Sequence, residues 1–313
     1  MPDTRPLILS FGSVNIDVTA RAVRLPRPGE TVHAESYAIG LGGKGANQAA
    51  AAARLAASLG LRVALAGRVG QDAFGAQART GLQEFGVDLS HLRDDPQNPT
   101  GLALIGIDSD GENSITVAGG ANMALDAADI EAAQPLMAQA KVVLLQLEIP
   151  LATTLAIAQS ARSSGAQVIL DPAPAPEHGL PDALWNSIDL ITPNESETEH
   201  LTGIYPENVD DAARAADALQ ERGVPAIIVK MGARGVYWRQ DGQSGFVSPF
   251  RVHAIDTVAA GDCFNAGLAT ALAQGAPLAE ATRVAAACGA LATTRKGAAE
   301  AAPHWEEVAA LLG

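Results

Sequence analysis

Short apolar runs alternate with helical patterns along most of the chain. Strands are predicted where continuous apolar residues lie between turn signals, at 7–14, 62–66, 142–147, 167–170, 189–191 and 226–229. Helices are predicted where apolar residues recur at helical spacing, at 49–59, 73–84, 127–138, 151–163, 209–221, 266–273 and 278–293. Continuous apolar strands between helices are typical of an α/β fold, in which a doubly wound, mostly parallel sheet has helices on both faces.

Two segments interrupt this rhythm because apolar and polar residues alternate in them and no helix separates their strands. The first runs from about 16 to 39, and the second, from 101 to 118, has a turn at 108–111 that predicts a hairpin. Half-buried strands inserted in a doubly wound domain predict a small β-sheet lid. We therefore expect a main α/β domain of residues 1–14, 41–99 and 119–313 and a lid of residues 15–40 and 100–118.

Composition excludes several classes of protein. At 313 residues, 48% of them apolar, the chain can bury a sizeable core. Its net charge of −14 argues against nucleic acid or an anionic membrane as a partner. The six histidines show no zinc-ligand spacing, and no apolar run or leader pattern predicts a membrane span. Two cysteines, Cys263 and Cys288, form no disulfide framework, so we expect a reducing, cytoplasmic location.

The segment 256–262, Asp-Thr-Val-Ala-Ala-Gly-Asp, leads directly into an apolar helical stretch. Small residues before a helix leave its first N–H groups uncovered, and these donors together with the helix dipole form an anion site. Asp262 would repel that anion unless its carboxylate faces a hydroxyl group that attacks the anion. The amides of Ala259, Ala260 and Gly261 would then stabilise a phosphoryl group while Asp262 accepts the proton. The alternative is an aspartate placed only for the helix dipole.

The segment 40–48, Gly-Leu-Gly-Gly-Lys-Gly-Ala-Asn-Gln, opens a second, alanine-rich helix. Its letters fit the G-x-G-x-x-G fingerprint of nicotinamide-dependent dehydrogenases, which is a weak signal alone. It does not fit the Walker A pattern, because Ala38 and Gly45 stand where that pattern needs Gly and Ser or Thr. The dehydrogenase stays an alternative, although the loop follows alternating polar residues and leaves the 256–262 segment unexplained.

Six motifs together resemble, in order, the motif set of the PfkB carbohydrate kinases. They are Asn15-Ile16-Asp17, the 42–47 glycine-rich loop, Glu148, Asn194-Glu195-Ser196-Glu197, Gly232-Ala233-Arg234-Gly235 and the 256–262 segment. The resemblance covers the whole chain. It implies ATP-dependent phosphorylation of D-ribose at O5, giving D-ribose 5-phosphate. A related kinase for deoxyribose, another furanose or a nucleoside is the alternative within the family, and a sugar-binding protein without catalysis is disfavoured by Asp262.

The residues predicted to bind the sugar are assigned partly by their own positions and partly by this resemblance. They are Asn15, Asp17, Gly43, Lys44, Asn47, Glu148 and Asp262. Asn15 and Asp17 point to the same face of a strand, as suits two neighbouring hydroxyl groups. Glu148 follows a buried strand at its carboxyl end, where doubly wound sheets bind ligands. A solvated strand face and an exposed helix cap are the respective alternatives.

The resemblance also implies a site for ATP and Mg²⁺. Its candidate residues are Asn194, Glu197, Lys230, Gly232, Gly235 and Gly261. In the family, Asn194 and Glu197 order magnesium and the nucleotide phosphates, through water, while the 232–235 turn lies along the nucleotide. The residues alone allow a simpler interpretation, a capping box and a glycine-rich turn. Lys230 stands where related enzymes often have a hydroxyl residue, so this contact departs from the pattern.

The last two expectations concern an activating potassium ion and a dimer. The resemblance implies that oxygens, mostly backbone carbonyls, bind K⁺ at Asp256, Val258, Ala292, Arg295, Gly297 and Ala301. Ala301 departs from the serine that is common there, and an ion pair of Asp256 with Arg295 or Lys296 is the alternative. The lid strands leave apolar residues such as Ile39, Leu104 and Ile107 without a covering helix. We therefore expect a homodimer that pairs through the lids.

Overall fold

The computed structural model describes residues 3–313, with strands β1–β13 and helices α1–α10 numbered in chain order. The strands of the main sheet are β1 (Leu7–Phe11), β4 (Arg62–Gly70), β5 (Asp88–Asp95), β8 (Ala140–Leu145), β9 (Gln167–Leu170), β10 (Leu190–Ile191), β11 (Ala226–Lys230), β12 (Val236–Gln240) and β13 (Gln243–Val247). The lid strands are β2 (Asn15–Ala22), β3 (Ala34–Gly42), β6 (Gly101–Ile107) and β7 (Asn113–Ala118). The helices are α1 (Lys44–Ala56), α2 (Ala73–Glu84), α3 (Ala127–Met137), α4 (Leu151–Ser163), α5 (Asp182–Trp185), α6 (Glu195–Thr202), α7 (Val209–Glu221), α8 (Ala260–Ala273), α9 (Leu278–Ala292) and α10 (Trp305–Leu312).

The main sheet has nine strands in the order β13-β12-β11-β10-β9-β8-β1-β4-β5. Neighbours are parallel except at β11–β12 and β12–β13, so the predicted mostly parallel sheet is confirmed. All five residues of β1 are buried. One face of the sheet packs on α1, α8 and α9, and the other packs on α3, α4 and α7. Burial on both faces explains why these strands are continuous apolar runs.

The predicted elements differ from the structure mainly at the sheet edge and at helix starts. The strand β5 was not predicted because its sequence, Asp-Leu-Ser-His-Leu-Arg-Asp-Asp, is mostly polar, as suits an edge strand that pairs only with β4. The helix α8 begins at Ala260 instead of residue 266, and α1 begins at Lys44 instead of residue 49. Both early starts matter, because they place the polar residues of the two motifs in the first helical turns.

The four-stranded sheet β3-β2-β6-β7 is the small second sheet that the alternating segments predict. The two points at which the chain enters this sheet, just before β2 and just before β6, are held by side-chain hydrogen bonds. Asn122 donates to the carbonyl of Val14 (3.1 Å) and accepts from its N–H (2.9 Å). Asp72 accepts hydrogen bonds from the N–H (2.8 Å) and the hydroxyl (2.7 Å) of Thr100, just before β6. The lid strands are therefore held at the edge of the main sheet where its strands end.

Candidate active site

The start of α8 leaves free hydrogen-bond donors. Ala259 precedes the helix in the left-handed conformation (φ 55°), and the N–H groups of Gly261 and Asp262 have no partner within residues 3–313. The N–H of Ala260 instead donates to the carbonyl of Thr257 at 3.3 Å. The expected group of donors is thus corrected, because the amide of Ala260 is already bonded to its own turn. Free donors at a helix start are the feature that the predicted anion site requires.

Asp262 is buried at this helix start, with 5% of its surface exposed. Its two carboxylate oxygens accept hydrogen bonds from Asn47 Nδ2 (3.2 Å) and Gln48 Nε2 (3.0 Å), both on α1. Burial raises the pKa of Asp262 to about 6; Lys44 opposes this rise and Asp171 adds to it. The burial and the two side-chain donors go beyond what a surface aspartate placed for the helix dipole requires.

Asn47 also has an unused acceptor. Its Oδ1 is buried and makes no hydrogen bond within the described part of the chain, residues 3–313. A buried amide oxygen without a partner costs free energy unless a ligand or water supplies a donor. A hydroxyl group that approaches Asp262 would lie within reach of this oxygen, so the pair Asn47 and Asp262 suits an alcohol.

Glu148 lies beyond the carboxyl end of β8 and faces the glycine-rich loop. Its Oε2 accepts hydrogen bonds from Ser13 Oγ (2.6 Å) and from the N–H of Lys44 (3.0 Å). The exposed-cap alternative is therefore wrong, and the carboxylate instead joins β1 to the start of α1. Burial opposes the charge of the Lys44 ammonium, but Asp262, Asp171 and Glu148 outweigh that effect and raise its pKa.

Asp17 and Asn15 lie two residues apart on β2 and therefore on the same face of that strand. The Asp17 carboxylate lies over Gly42, where an added Cβ would stand 1.9 Å from Asp17 Oδ1. Burial, followed by the charges of Glu148 and Asp262, raises the pKa of Asp17 to about 6. Asn15 is 2% exposed and its Oδ1 accepts a hydrogen bond from Asn122 Nδ2 at 2.8 Å. Asn15 therefore does not belong to a solvated strand face.

Gly43 requires its glycine, since it links β3 to α1 at φ 86° and an added Cβ would stand 2.7 Å from the N–H nitrogen of Asn15.

The Asn194–Glu197 motif forms a capping box at the start of α6. Asn194 Oδ1 accepts from the N–H of Glu197 (2.9 Å), and the two Glu197 oxygens accept from the N–H and Nδ2 of Asn194 (2.8 Å each). The simpler interpretation of this motif is thus confirmed. Burial raises the pKa of Glu197; Lys230 opposes the rise and Asp171 adds to it. The Glu197 carboxylate therefore lies close enough to Lys230 and Asp171 to feel their charges.

Lys230 ends β11 and points towards the start of α8. Its Nζ lies 3.1 Å from Asp171 Oδ1 and 3.7 Å from the position of a Cβ added to Gly261. The next residues, Gly232–Arg234, form a single 3-10 turn, and Gly235 leads into β12. The ammonium group thus lies next to the free amides of α8, and the glycine-rich turn lies against the start of α6, where a Cβ added to Gly232 would stand 3.1 Å from Glu195 Oε1.

The predicted potassium segments lie against each other. The Thr293 carbonyl accepts from the N–H groups of Ile255 (2.7 Å) and Asp256 (3.1 Å). The Asp256 carboxylate accepts from the N–H groups of Val258 (3.1 Å) and Gly297 (3.3 Å). The loop before α8 is therefore joined to the turn after α9, through contacts that involve backbone groups on both sides.

The expected ion-pair alternative for Asp256 is not borne out. Arg295 pairs with Glu307 and its N–H donates to the carbonyl of Ala292 (3.3 Å). Neither Arg295 nor Lys296 forms an ion pair with Asp256 in the described chain, from residue 3 onwards. Ala301 is buried in the adjacent 3-10 turn and offers no side-chain oxygen.

Four residues at the site were not predicted from the sequence: Ser13, Gln48, Asn122 and Asp171. Asp171 follows β9 at its carboxyl end, which is the same signal that identified Glu148. Gln48 adjoins Asn47 in the glycine-rich motif. No local signal marks Ser13 or Asn122, whose partners lie 135 and 107 residues away along the chain.

One cavity, of about 770 Å³, is separate from these side chains. It is lined by Ile16 and Leu41, which face away from Asp17 on the lid strands, and by Arg54 and Glu300. None of the predicted site residues lines this cavity, so the polar side chains, and not the cavity, locate the candidate site.

Residues 5–305 match the model of the pfkB family carbohydrate kinases. The chain belongs to this family. This PfkB kinase is 38% identical over 308 residues to the ribokinase of Haemophilus influenzae, a match that covers 98% of this chain and 99% of that protein. It is 34% identical over 300 residues to the deoxyribokinase of Salmonella typhimurium, with 96% of each covered.

The solved structure of Arabidopsis thaliana ribokinase complexed with ribose and ATP superposes with a TM-score of 0.89 at 35% identity and covers 98% of each chain. The fold is thus ribokinase-like, and the protein is a sugar kinase. The dehydrogenase alternative is wrong. Among the helices of residues 3–313, none has the length and apolar content needed to cross a membrane.

Proposed function

We propose that this PfkB kinase transfers the γ-phosphoryl group of ATP to O5 of D-ribose and forms D-ribose 5-phosphate. One observation carries the proposal: the buried Asp262 carboxylate lies at a helix start with free N–H groups and beside an unpaired Asn47 oxygen. Relatives named ribokinase, one of them solved with ribose and ATP, support ribose as the acceptor and ATP as the donor.

The acceptor site combines groups from the lid and the main domain. Asn15 and Asp17 come from β2, while Asn47 and Glu148 come from the main domain. Asp17, Asn47 and Glu148 offer oxygens that accept from hydroxyl groups, and Asn15 keeps its amide donor because Asn122 holds its oxygen. We propose that residues 15–40 and 100–118 close over the sugar as a lid. Lys44 supplies positive charge beside the transferred phosphate.

Asp262 accepts the proton of the O5 hydroxyl while that oxygen attacks phosphorus. A loose transition state requires little proton transfer before the bond to the leaving oxygen breaks, so a carboxylate with a pKa of about 6 suffices. The free amides at the start of α8 stabilise charge that develops on the phosphoryl oxygens. Removal of such donors typically costs on the order of 10²–10³ in rate.

The side of the site formed by α6, Lys230, the 232–235 turn and Gly261 would hold ATP and Mg²⁺. The charged, buried Glu197 fits a magnesium site, but both of its oxygens are bonded to Asn194, so contact through water fits better than direct ligation. Magnesium would neutralise charge on the phosphates. Lys230 supplies a cation that a phosphate oxygen can reach from the α8 start.

We further propose that K⁺ activates the enzyme at Asp256 and the turn after α9. The joined segments and their many backbone oxygens suit a large monovalent cation, and the absent side-chain oxygen at Ala301 leaves one position for water. The free, buried Cys263 and Cys288 suit the reducing cytoplasm, where we propose that the enzyme works.

A coupled assay of ADP release tests the function. With ATP, Mg²⁺ and K⁺, we expect kcat/KM for D-ribose to exceed the values for 2-deoxyribose, hexoses and nucleosides by at least about tenfold, as for the loss of a hydrogen-bonded hydroxyl. Phosphorus NMR of the product is expected to place the phosphate on O5. A preference for 2-deoxyribose would favour a deoxyribose kinase. The absence of ADP release with every sugar in the panel would contradict the proposal.

A further inference from the structure

A row of buried polar side chains lies behind Asp262. Gln48 Nε2 donates to Asp262 Oδ1 (3.0 Å) and to Asp171 Oδ2 (3.1 Å), so one amide joins two carboxylates. Gln146 Nε2 donates to Gln48 Oε1 at 2.7 Å, and this fixes which end of the Gln48 amide faces the acids. On the far side, Lys230 Nζ lies 3.1 Å from Asp171 Oδ1.

These groups are removed from water, so their charges interact strongly. Gln48 is fully buried, Asp171 is 2% exposed, and the Lys230 side chain is 12% exposed. Two buried carboxylates repel each other unless donors and a counter-ion compensate them. Gln48 gives one N–H to each acid, and Lys230 neutralises Asp171. Asp262 forms no ion pair within this group, so its carboxylate can accept the proton of the acceptor hydroxyl.

We propose that Asp171, Gln48 and Lys230 form a positioning unit for Asp262. Lys230 pairs with the Asp171 carboxylate, Asp171 orients the Gln48 amide, and the other N–H of that amide holds the Asp262 carboxylate towards the acceptor hydroxyl. The inference rests on the proposed role of Asp262. It adds two positioning residues, Asp171 and Gln48, which reach the reacting atoms only through Asp262.

Other charged groups also face Asp262, and they define the background against which the unit acts. They are Asp17 from β2, Lys44 from α1 and Glu148 beyond β8, with Glu197 from α6 behind Asp171. Asp262 carries a raised pKa to which Asp171 contributes. The acid limb is the low-pH side of the pH profile, where kcat/KM falls as Asp262 becomes protonated. A change in the charge of the Asp171–Lys230 pair is therefore expected to move this limb along the pH axis.

The two halves of the pair are expected to act in opposite directions. Asp171→Asn removes a negative neighbour and leaves the Lys230 ammonium, so Asp262 ionises more readily and the acid limb moves to lower pH. Lys230→Met leaves two acids joined by Gln48 without a counter-ion, so the limb moves to higher pH. The double variant has a neutral pair, and we expect its limb to return close to that of the wild type.

The experiment measures kcat/KM for D-ribose from pH 5 to 9 at saturating ATP, together with thermal unfolding of each variant. We expect shifts of at least about 0.5 pH unit in opposite directions for the two single variants. Lys230→Arg keeps the cation and is expected to keep the wild-type limb. Asp129→Asn is the matched control, because Asp129 is 3% exposed and pairs with Arg68 away from the site. It is expected to lose stability without any shift of the limb.

Limbs that stay at the wild-type pH in both single variants, or that move the same way in both, would overturn the proposal. If a single variant does not fold, the neutral double variant still decides, since a limb displaced from that of the wild type by about 0.5 pH unit or more would contradict the pairing. Failure of the proposed function is distinguishable, because Asp262→Asn would then retain activity. An inactive Asp262→Asn with unmoved limbs in the other variants overturns only the positioning unit.

Discussion

At the residue scale, the proposed catalytic base is a carboxylate that the fold removes from water. Asp262 is almost fully buried next to Asn47 and Gln48, and its charge costs the folded protein free energy until a ligand uses it. The same burial sets the pH range in which the carboxylate accepts a proton. Buried carboxylates that lower the stability of the fold and have a strongly raised pKa are common in active sites.

Activity is expected to rise with pH through about 6. Burial raises the pKa values of Asp262 and Asp17 to about 6, so both are largely protonated at pH 5 and largely ionised at pH 7. Only the ionised Asp262 accepts the proton, and protonation of Asp17 weakens sugar binding as well, so kcat/KM for ribose should fall at least about tenfold per pH unit below the limb. A profile that is flat from pH 5 to 7 would contradict an ionised Asp262 as the base.

The sequence predicts part of the site at this scale and misses the rest for a physical reason. Asp262 and Asn47 lie in local motifs in which small residues precede a helix, and such helix starts leave free N–H groups that can bind an anion. Asp171 acts through contacts with Gln48, 123 residues away, and with Lys230, 59 residues away. Such contacts depend on which strands become neighbours, and no local pattern encodes that.

At the scale of elements, we propose that the lid strand β2 carries the sugar contacts. We expect Asn15→Ala and Asp17→Ala to raise the KM for ribose at least about tenfold, as for the loss of hydrogen bonds to hydroxyl groups, with little change in the KM for ATP. The Asp17 carboxylate lies over Gly42 beside the glycine-rich loop, and the Asn15 side chain lies between Gly101 and Asn122. Steady-state kinetics with each substrate varied in turn measures this. A main effect on ATP would move the lid to the nucleotide side.

The loop before α8 and the turn after α9 form the second element with a separate role. We expect millimolar K⁺ to raise turnover several-fold over Na⁺ or Li⁺, because a large oxygen-lined site favours the larger cation. Asp256→Ala should abolish the difference, since its carboxylate joins Val258 to Gly297. Equal rates of the wild type in K⁺ and in K⁺-depleted Na⁺ buffer would contradict the site.

The central strands and helices follow from apolar periodicity because both faces of the sheet are covered. The pattern fails at β5, a polar edge strand, and at the first turns of α1 and α8, where glycine and polar residues replace the apolar repeat. Those first turns carry Lys44, Asn47 and Asp262. Apolar periodicity thus misses the helix starts at which candidate site residues replace the apolar repeat.

At the scale of the whole molecule, the lid leaves apolar side chains uncovered. Tyr37, Ile39 and Leu104 are 75%, 43% and 50% exposed and share the face away from Asp17. Ile115 and Val117, 55% and 53% exposed, share the face of Asp17. The expected Ile107 is half-buried instead. A small sheet with apolar residues on both faces suits a partner lid.

We expect a homodimer paired through the lids at micromolar concentration. Leu104→Glu places a charge on the lid surface and should shift the protein towards the monomer in sedimentation velocity. Val209→Glu is the matched control, because Val209 is 38% exposed on α7 of the main domain. A wild-type monomer, or equal dissociation in both variants, would contradict pairing through the lid.

The most direct test of the central claim is the turnover of Asp262→Asn with ribose and ATP. Asn keeps the size of the side chain, and Asn47 can turn its amide so that its unpaired oxygen accepts from the new amide group. The variant removes a buried charge, so we expect it to fold and to unfold thermally at no lower temperature than the wild type at pH 8. Ribose binding, measured by calorimetry, should be largely kept.

We expect the kcat of Asp262→Asn to fall by at least about 10²-fold, because the acceptor hydroxyl loses its base. If the variant keeps more than about a tenth of the wild-type turnover, Asp262 is not the base and the mechanism is wrong.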